Sequence, residues 1–219
     1  MQHEIVVFLG PSLDREEAAR ILAATYLPPA RRGDIPGAVG AGARIITLID
    51  GVFFQESSVG HREILDALRS GVRVIGASSM GALRAAELDS LGMEGVGEIY
   101  RLYRNGVLVS DDEVALVYDP ESYTPLSEPL INIRCTLRKA VESGILQKET
   151  ADIVRSIAIS CYFPDRTWDT LVESARSLIP GRDLERLEAF VREHAVDQKK
   201  EDAVLALRRT RELAEELGL

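Results

Sequence analysis

Val72-Arg73-Val74-Ile75-Gly76-Ala77-Ser78-Ser79-Met80-Gly81-Ala82-Leu83-Arg84-Ala85-Ala86-Glu87-Leu88 decides the fold. The run opens almost wholly apolar, turns at two serines and continues with small residues at helical spacing. It therefore predicts a buried strand, a tight turn and a helix over Ala82–Leu88. Strands that are apolar nearly throughout belong to parallel sheets covered on both faces. The same grammar recurs upstream. Ile5-Val6-Val7-Phe8-Leu9 ends at Gly10-Pro11-Ser12, and Asp14 followed by Glu17 starts a helix running to about Thr25. Arg44-Ile45-Ile46-Thr47-Leu48-Ile49-Asp50 forms a second strand closed by Gly51, and a helix follows from about Gly60 to Arg69. Between them, Pro28 to Gly42 is rich in proline and glycine and reads as a loop.

After Asp119-Pro120 the strand signals stop. Helical patterns cover Ser127–Ser143, Lys148–Ser160, Trp168–Ile179, Asp183–Glu193 and Asp197–Leu217. The expected fold is thus α/β. A parallel sheet with flanking helices occupies residues 1–122 and carries the serine turn. An all-helical C-terminal half, residues 123–219, packs onto it.

A net charge of −9 over 219 residues supplies no broad basic field, which argues against nucleic acid as a partner. No apolar run approaches the ~18 residues that span a bilayer, so no membrane role is expected. The N-terminus enters a strand without a basic stretch and apolar core of the secretory kind, which points to the cytoplasm. Cys135 and Cys161 share no metal-type spacing and read as buried thiols in a reducing compartment. His3, His61 and His194 are scattered, so neither a zinc site nor a Ser-His-Asp set declares itself, and no metal is expected.

The serine turn is the strongest chemical signal. A hydroxyl there is held at the carboxyl end of the sheet, where open α/β folds place ligands. The N–H of the following residue, at a helix N-terminus, is available to an oxyanion; for Ser79 that residue is Met80. Gly81 removes a Cβ from the crowded turn, and Ala82, Ala85 and Ala86 let the helix lie close to the sheet. Alanine at position 77 leaves the motif one residue short of G-x-S-x-G. Centred on Ser79, the string is similar to the A-x-S-M-G-A nucleophile turn of Clp-type serine peptidases. The competing reading is that both serines only cap the helix.

A serine nucleophile needs a base, and a desolvated lysine can supply it because burial disfavours the ammonium. The chain has four lysines, Lys139, Lys148, Lys199 and Lys200. On a wheel of about 100° per residue with Ala203 at zero, Lys199 falls inside the apolar stripe of Ala206, Leu207, Leu213, Ala214 and Leu217, and Lys200 falls at its edge. The competing reading is a lysine at a helix start that bends out to solvent.

Gly10 and Gly51 end their strands on the same rim as Ser79 and are candidates for a further oxyanion N–H or a substrate contact. Arg84 is a candidate anion contact, but it lies one turn from Glu87 and can simply pair with it. Tyr100-Arg101-Leu102-Tyr103-Arg104 reads as a docking patch or an ordinary exposed helix face, and Asp111-Asp112-Glu113 as solvated loop charges.

Longer strings carry a family resemblance. They are Phe8-Leu9-Gly10-Pro11-Ser12-Leu13, Pro29-Ala30-Arg31-Arg32-Gly33-Asp34, Ile49-Asp50-Gly51-Val52-Phe53 and Gly60-His61-Arg62-Glu63-Ile64. Gly76 to Leu88, Gly97-Glu98-Ile99-Tyr100, Asp112-Glu113-Val114-Ala115 and Lys199-Lys200-Glu201-Asp202-Ala203 complete the set. In these the chain resembles TfuA-type proteins over nearly its whole length. The resemblance implies a partner of YcaO enzymes, which use ATP to activate a peptide backbone amide for replacement of its oxygen by sulfur. It implies hydrolysis of a thiocarboxylated ThiS-type sulfur-carrier protein to release sulfide, together with help for the YcaO enzyme in binding its target peptide. It also implies a serine hydrolase-like Ser–Lys pair, for which Ser79 or Ser78 and Lys199 or Lys200 are the candidates, with no cofactor of the chain's own. The alternative is a non-catalytic activator that assembles YcaO enzyme, carrier and peptide.

Overall fold

The computed structural model describes residues 4–53 and 57–219; His3 lies outside them. The chain divides into two compact units, Met1–Asp111 with Lys199–Leu219, and Asp112–Gln198. The last helix therefore belongs to the unit of the serine turn, whereas the division at 122/123 groups it with the other helices.

The first unit is an α/β layer structure. In chain order it contains β1 (Ile5–Phe8), α1 (Arg15–Ile21), β2 (Thr25–Leu27), α2 (Asp34–Gly40), β3 (Ile45–Leu48) and α3 (His61–Arg69). There follow β4 (Arg73–Ala77), α4 (Met80–Leu88), β5 (Glu94–Val96) and α5 (Glu98–Arg104). The five strands are all parallel, in the order β2-β1-β3-β4-β5. Alternate residues of one strand serve opposite faces, and both faces are dry. Ile5, Val7 and Leu9 join one core with Ile45, Ile49 and Ile75. Val6 and Phe8 join a second with Ile46, Leu48 and Val74. Burial on both faces is why these strands read as continuous apolar runs.

The three central strands match the sequence expectation, and the two edge strands were not anticipated. The helix expected to reach Thr25 stops at Ile21, and Thr25–Leu27 pairs with β1 instead. Residues 34–40, expected as loop, form α2, which tolerates Pro36 because the first turn lacks intrahelical N–H partners in any case.

The order of winding reverses between β1 and β3, the place where open parallel sheets bind ligands at the carboxyl ends of their strands. α10 (Gln198–Leu217) covers the first core with Ala203, Ala206, Leu207, Leu213 and Ala214, and its Thr210 Oγ1 lies 2.7 Å from Thr47 Oγ1 of β3. Its first turn is fixed at the carboxyl rim. The buried Asp202 carboxylate accepts the Glu98 and Ile99 N–H groups at 3.0 and 2.7 Å, at the start of α5 just beyond β5. Gly97, at φ 96°, permits this approach, since a Cβ there would lie 2.3 Å from Asp202 Cγ. Asp202→Ala should therefore lower stability by roughly 2–3 kcal/mol in chemical denaturation, because a buried and a half-buried donor lose a charged acceptor. Asp202→Asn, which keeps one acceptor oxygen, should lose less. Equal losses in the two variants would assign the effect to packing instead.

The second unit contains α6 (Leu130–Glu142), α7 (Lys148–Ser160), α8 (Trp168–Ala175) and α9 (Gly181–His194), which share one apolar core. Arg166, 1% exposed, is satisfied by the Ala158 and Cys161 carbonyls and by Asp112. Glu113 takes a two-pronged bond from Arg134, so two of the three acids at 111–113 are paired to arginines within this unit. Burial, with the Asp197 charge adding to it, holds the Glu128 carboxyl above the usual range. Cys135 is buried as expected, but Cys161, just past the end of α7, is only half-buried.

Candidate active site

β4 delivers its chain into a turn whose backbone is unusual at one residue. Ser78 has φ 66°, the left-handed region, and the Ser79 N–H donates to the Ala77 carbonyl across it at 2.8 Å. This is a γ-turn centred on a non-glycine residue with positive φ, a strained arrangement that only a well-determined surrounding retains. α4 then starts at Met80 with Ser79 in the N-cap position, yet the Ser79 side chain makes no capping bond. The competing reading of the turn, two serines that cap the helix, is not what this geometry shows for Ser79. Both serines are buried.

The helix lies directly on the sheet. A Cβ on Gly81 would stand 1.7 Å from the Leu48 carbonyl oxygen, and one on Gly76 would stand 2.2 Å from the Gly81 oxygen. The Gly81 N–H donates to the Ile49 carbonyl at 3.2 Å. A Cβ on Gly51 would meet Met80 Cγ at 2.8 Å, so Gly51 makes room for the side chain after the serines.

A chain of hydrogen bonds joins the ends of three strands. Ser78 Oγ donates to Ser12 Oγ at 3.0 Å, and Ser12 Oγ donates to Asp50 Oδ1 at 2.6 Å. Asp50 Oδ2 accepts the N–H groups of Gly10 and Ser12 at 2.9 and 3.1 Å. Sequence reading noticed the loops at Gly10-Pro11-Ser12 and Asp50-Gly51 but not this link. The only signal for it was that each directly follows a strand ending on the same rim.

The two candidate lysines separate. Lys200 is exposed and pairs with Glu17 at 2.6 Å. Lys199 is 2% exposed, inside the stripe where the helical wheel puts it. Its height can be gauged along α10. Lys199 precedes Thr210, which sits beside mid-strand Thr47, by eleven residues, or about 16 Å of helix. Lys200 touches α1 and Asp202 touches the start of α5, and both of these lie at the carboxyl rim. Lys199 therefore belongs to the rim that carries the serine turn.

The remaining sequence candidates divide as well. The Met80 N–H, first in α4, has no acceptor among the described residues and stands next to Ser79. The Gly10 N–H is committed to Asp50. Arg84 bonds the Val59 carbonyl at 2.9 Å and Glu87 at 2.7 Å, and Glu87 also takes His61 at 2.7 Å, so the arginine charge is largely compensated. The Tyr100–Arg104 group is likewise partly engaged: Tyr100 and the exposed Arg104 hold Asp89, and the exposed Arg101 holds Glu98. Among the described residues there is no cluster of three or more His, Cys, Asp or Glu that could hold a metal ion, and no helix is long and apolar enough to cross a membrane.

The family model described as TfuA-like protein matches residues 50–167, more than half of the chain. The matched span contains Asp50, Ser78 and Ser79 and ends before Lys199. No curated protein matches the chain.

Proposed function

The chain belongs to the TfuA-like family, and from that premise we propose that it works with a YcaO enzyme in peptide backbone thioamidation by hydrolysing a thiocarboxylated ThiS-type carrier with Ser79 and Lys199. The observation that carries this reading is the buried lysine at the rim of the serine turn, within the same unit.

In this reading Lys199 is the general base, since removal from water disfavours an ammonium. It takes the Ser79 proton as Oγ attacks the thiocarboxylate carbon. The Met80 N–H receives the developing oxyanion. The C–S bond breaks, and the Lys199 ammonium returns its proton to sulfur, which leaves as hydrosulfide. Water, deprotonated by Lys199, then attacks the acyl-serine, and Ser79 recovers its proton as the carrier carboxyl group departs. The second proton of the water leaves with the carboxyl group and passes to hydrosulfide in solution, so that carrier thiocarboxylate and water yield carrier carboxylate and hydrogen sulfide. The sulfide feeds the YcaO reaction, where ATP is used, and the chain also helps that enzyme hold its peptide.

The wild-type chain, given thiocarboxylated carrier but neither YcaO enzyme nor peptide, should release sulfide over many turnovers. A protein that only assembles the other partners would release none above the rate of the carrier alone, and this measurement decides between the two readings.

A further inference from the structure

The two serines of the turn have different surroundings. Ser12 has one hydroxyl proton and gives it to Asp50, so it can only accept from Ser78, and the direction of the chain is forced. Asp50 is buried and already holds two backbone N–H groups and a hydroxyl, so it is fixed in place. A nucleophilic Ser78 would have to pass its proton through Ser12 to a carboxylate, a weak base for that purpose. The N–H that follows Ser78 is also committed, to Ala77. The Ser79 side chain makes no capping bond, and the N–H that follows it has no acceptor among the described residues.

We propose that Ser12 and Asp50 are positioning residues, which act through the Ser78 hydroxyl to hold the strained turn from which Ser79 reacts. The inference rests on the Ser79–Lys199 reading above. Ser12 follows β1, Asp50 follows β3 and Ser78 follows β4, three strands adjacent in the sheet. The hydrogen-bond chain thus ties the turn to the rigid carboxyl edge of the sheet, beside the point where the order of winding reverses between β1 and β3. A left-handed serine without that tie is free to relax, and the Ser79 Oγ would move with it.

The test compares Ser12→Ala, Asp50→Asn, Ser78→Gly and the Ser12→Ala/Ser78→Gly double variant in the full chain. Sulfide release gives kcat and KM, a fluorophosphonate probe followed by peptide mass spectrometry gives the rate and site of serine modification, and thermal melting reports folding. Ser78→Gly removes the tie while leaving positive φ accessible, so a loss reports the missing restraint and not a forbidden conformation. Each variant should lower kcat and the labelling rate at Ser79 by about 10- to 100-fold, the scale of a small displacement of a reacting group. KM should stay within about twofold, because carrier binding is untouched. The double variant should be no slower than the worse single one, since both remove one contact. Wild-type kcat in Ser78→Gly or in a normally melting Asp50→Asn variant overturns the proposal, as does probe attached to Ser78. If instead Ser79→Ala releases sulfide at the wild-type rate, the parent reading fails, a result that the Ser12 and Asp50 variants cannot imitate.

Discussion

Lys199→Met and Lys199→Arg should each reduce sulfide release from the thiocarboxylated carrier by about 1,000-fold or more, the scale of losing the base from a nucleophile pair. Methionine is of similar length and tolerates burial at a position that is 2% exposed, so the fold should survive the exchange. Arginine separates two roles that the methionine variant alone would confuse. It keeps the positive charge that could attract an anionic thiocarboxylate, but it cannot give up its proton at ordinary pH. A base is lost in both variants, whereas a mere anion contact survives in the arginine form. Lys200→Met should stay within about twofold of wild type, because an exposed ion pair with Glu17 contributes little. Near-normal release by Lys199→Arg, or a dead Lys200→Met, would sink the assignment. Sulfide added from outside should restore thioamidation to the Lys199 variants, since it supplies the product they fail to make.

The sequence carried the centre of this fold better than its edges, for a physical reason. Ile5–Phe8, Ile45–Leu48 and the apolar body of Arg73–Ala77 are buried on both faces, so they leave dense apolar runs. Thr25–Leu27 and Glu94–Val96 are three-residue edge strands, largely half-buried, and one contains a glycine; neither has a periodicity long enough to read. α2 was hidden by Pro36, Gly37 and Gly40, residues of poor helix propensity that tertiary packing of Ile35 and Ala38 overrides. At the site, Ser79 and Lys199 each had a local signature, a turn string and a place on a helical wheel. The Asp50–Ser12–Ser78 chain had none, because it joins positions 38 and 66 residues apart that only the strand order brings together. Ser78 looked like the spare copy of Ser79, and nothing in residue identity reveals a positive φ. Pairing of Arg84 with Glu87 was legible as a one-turn spacing, while the bond to the Val59 carbonyl was not.

Gly81→Ala should cost about 3 kcal/mol or more in chemical denaturation, or prevent folding outright. The added methyl would stand 1.7 Å from the Leu48 carbonyl oxygen, which belongs to the end of a central strand and has no side-chain freedom with which to yield. Gly76→Ala meets the Gly81 carbonyl at 2.2 Å and should behave alike. Gly37→Ala is the matching control. Nothing lies within 4 Å of its added Cβ, it sits in α2, and it should gain about 0.5–1 kcal/mol. The contrast excludes a general intolerance of alanine for glycine and isolates the helix-to-strand approach. That approach bears directly on the chemistry. To admit a methyl at Gly81, α4 must lift from β3, and the lift carries away Ser79 at its cap and the Met80 N–H in its first turn. A Gly81→Ala protein that still folds should therefore release sulfide at least 100-fold more slowly even where it is fully native, the scale expected for an ångström of misplacement. A folded variant with normal stability and normal release would show that the helix has room to spare, and the close seat assigned to the serine turn would be wrong.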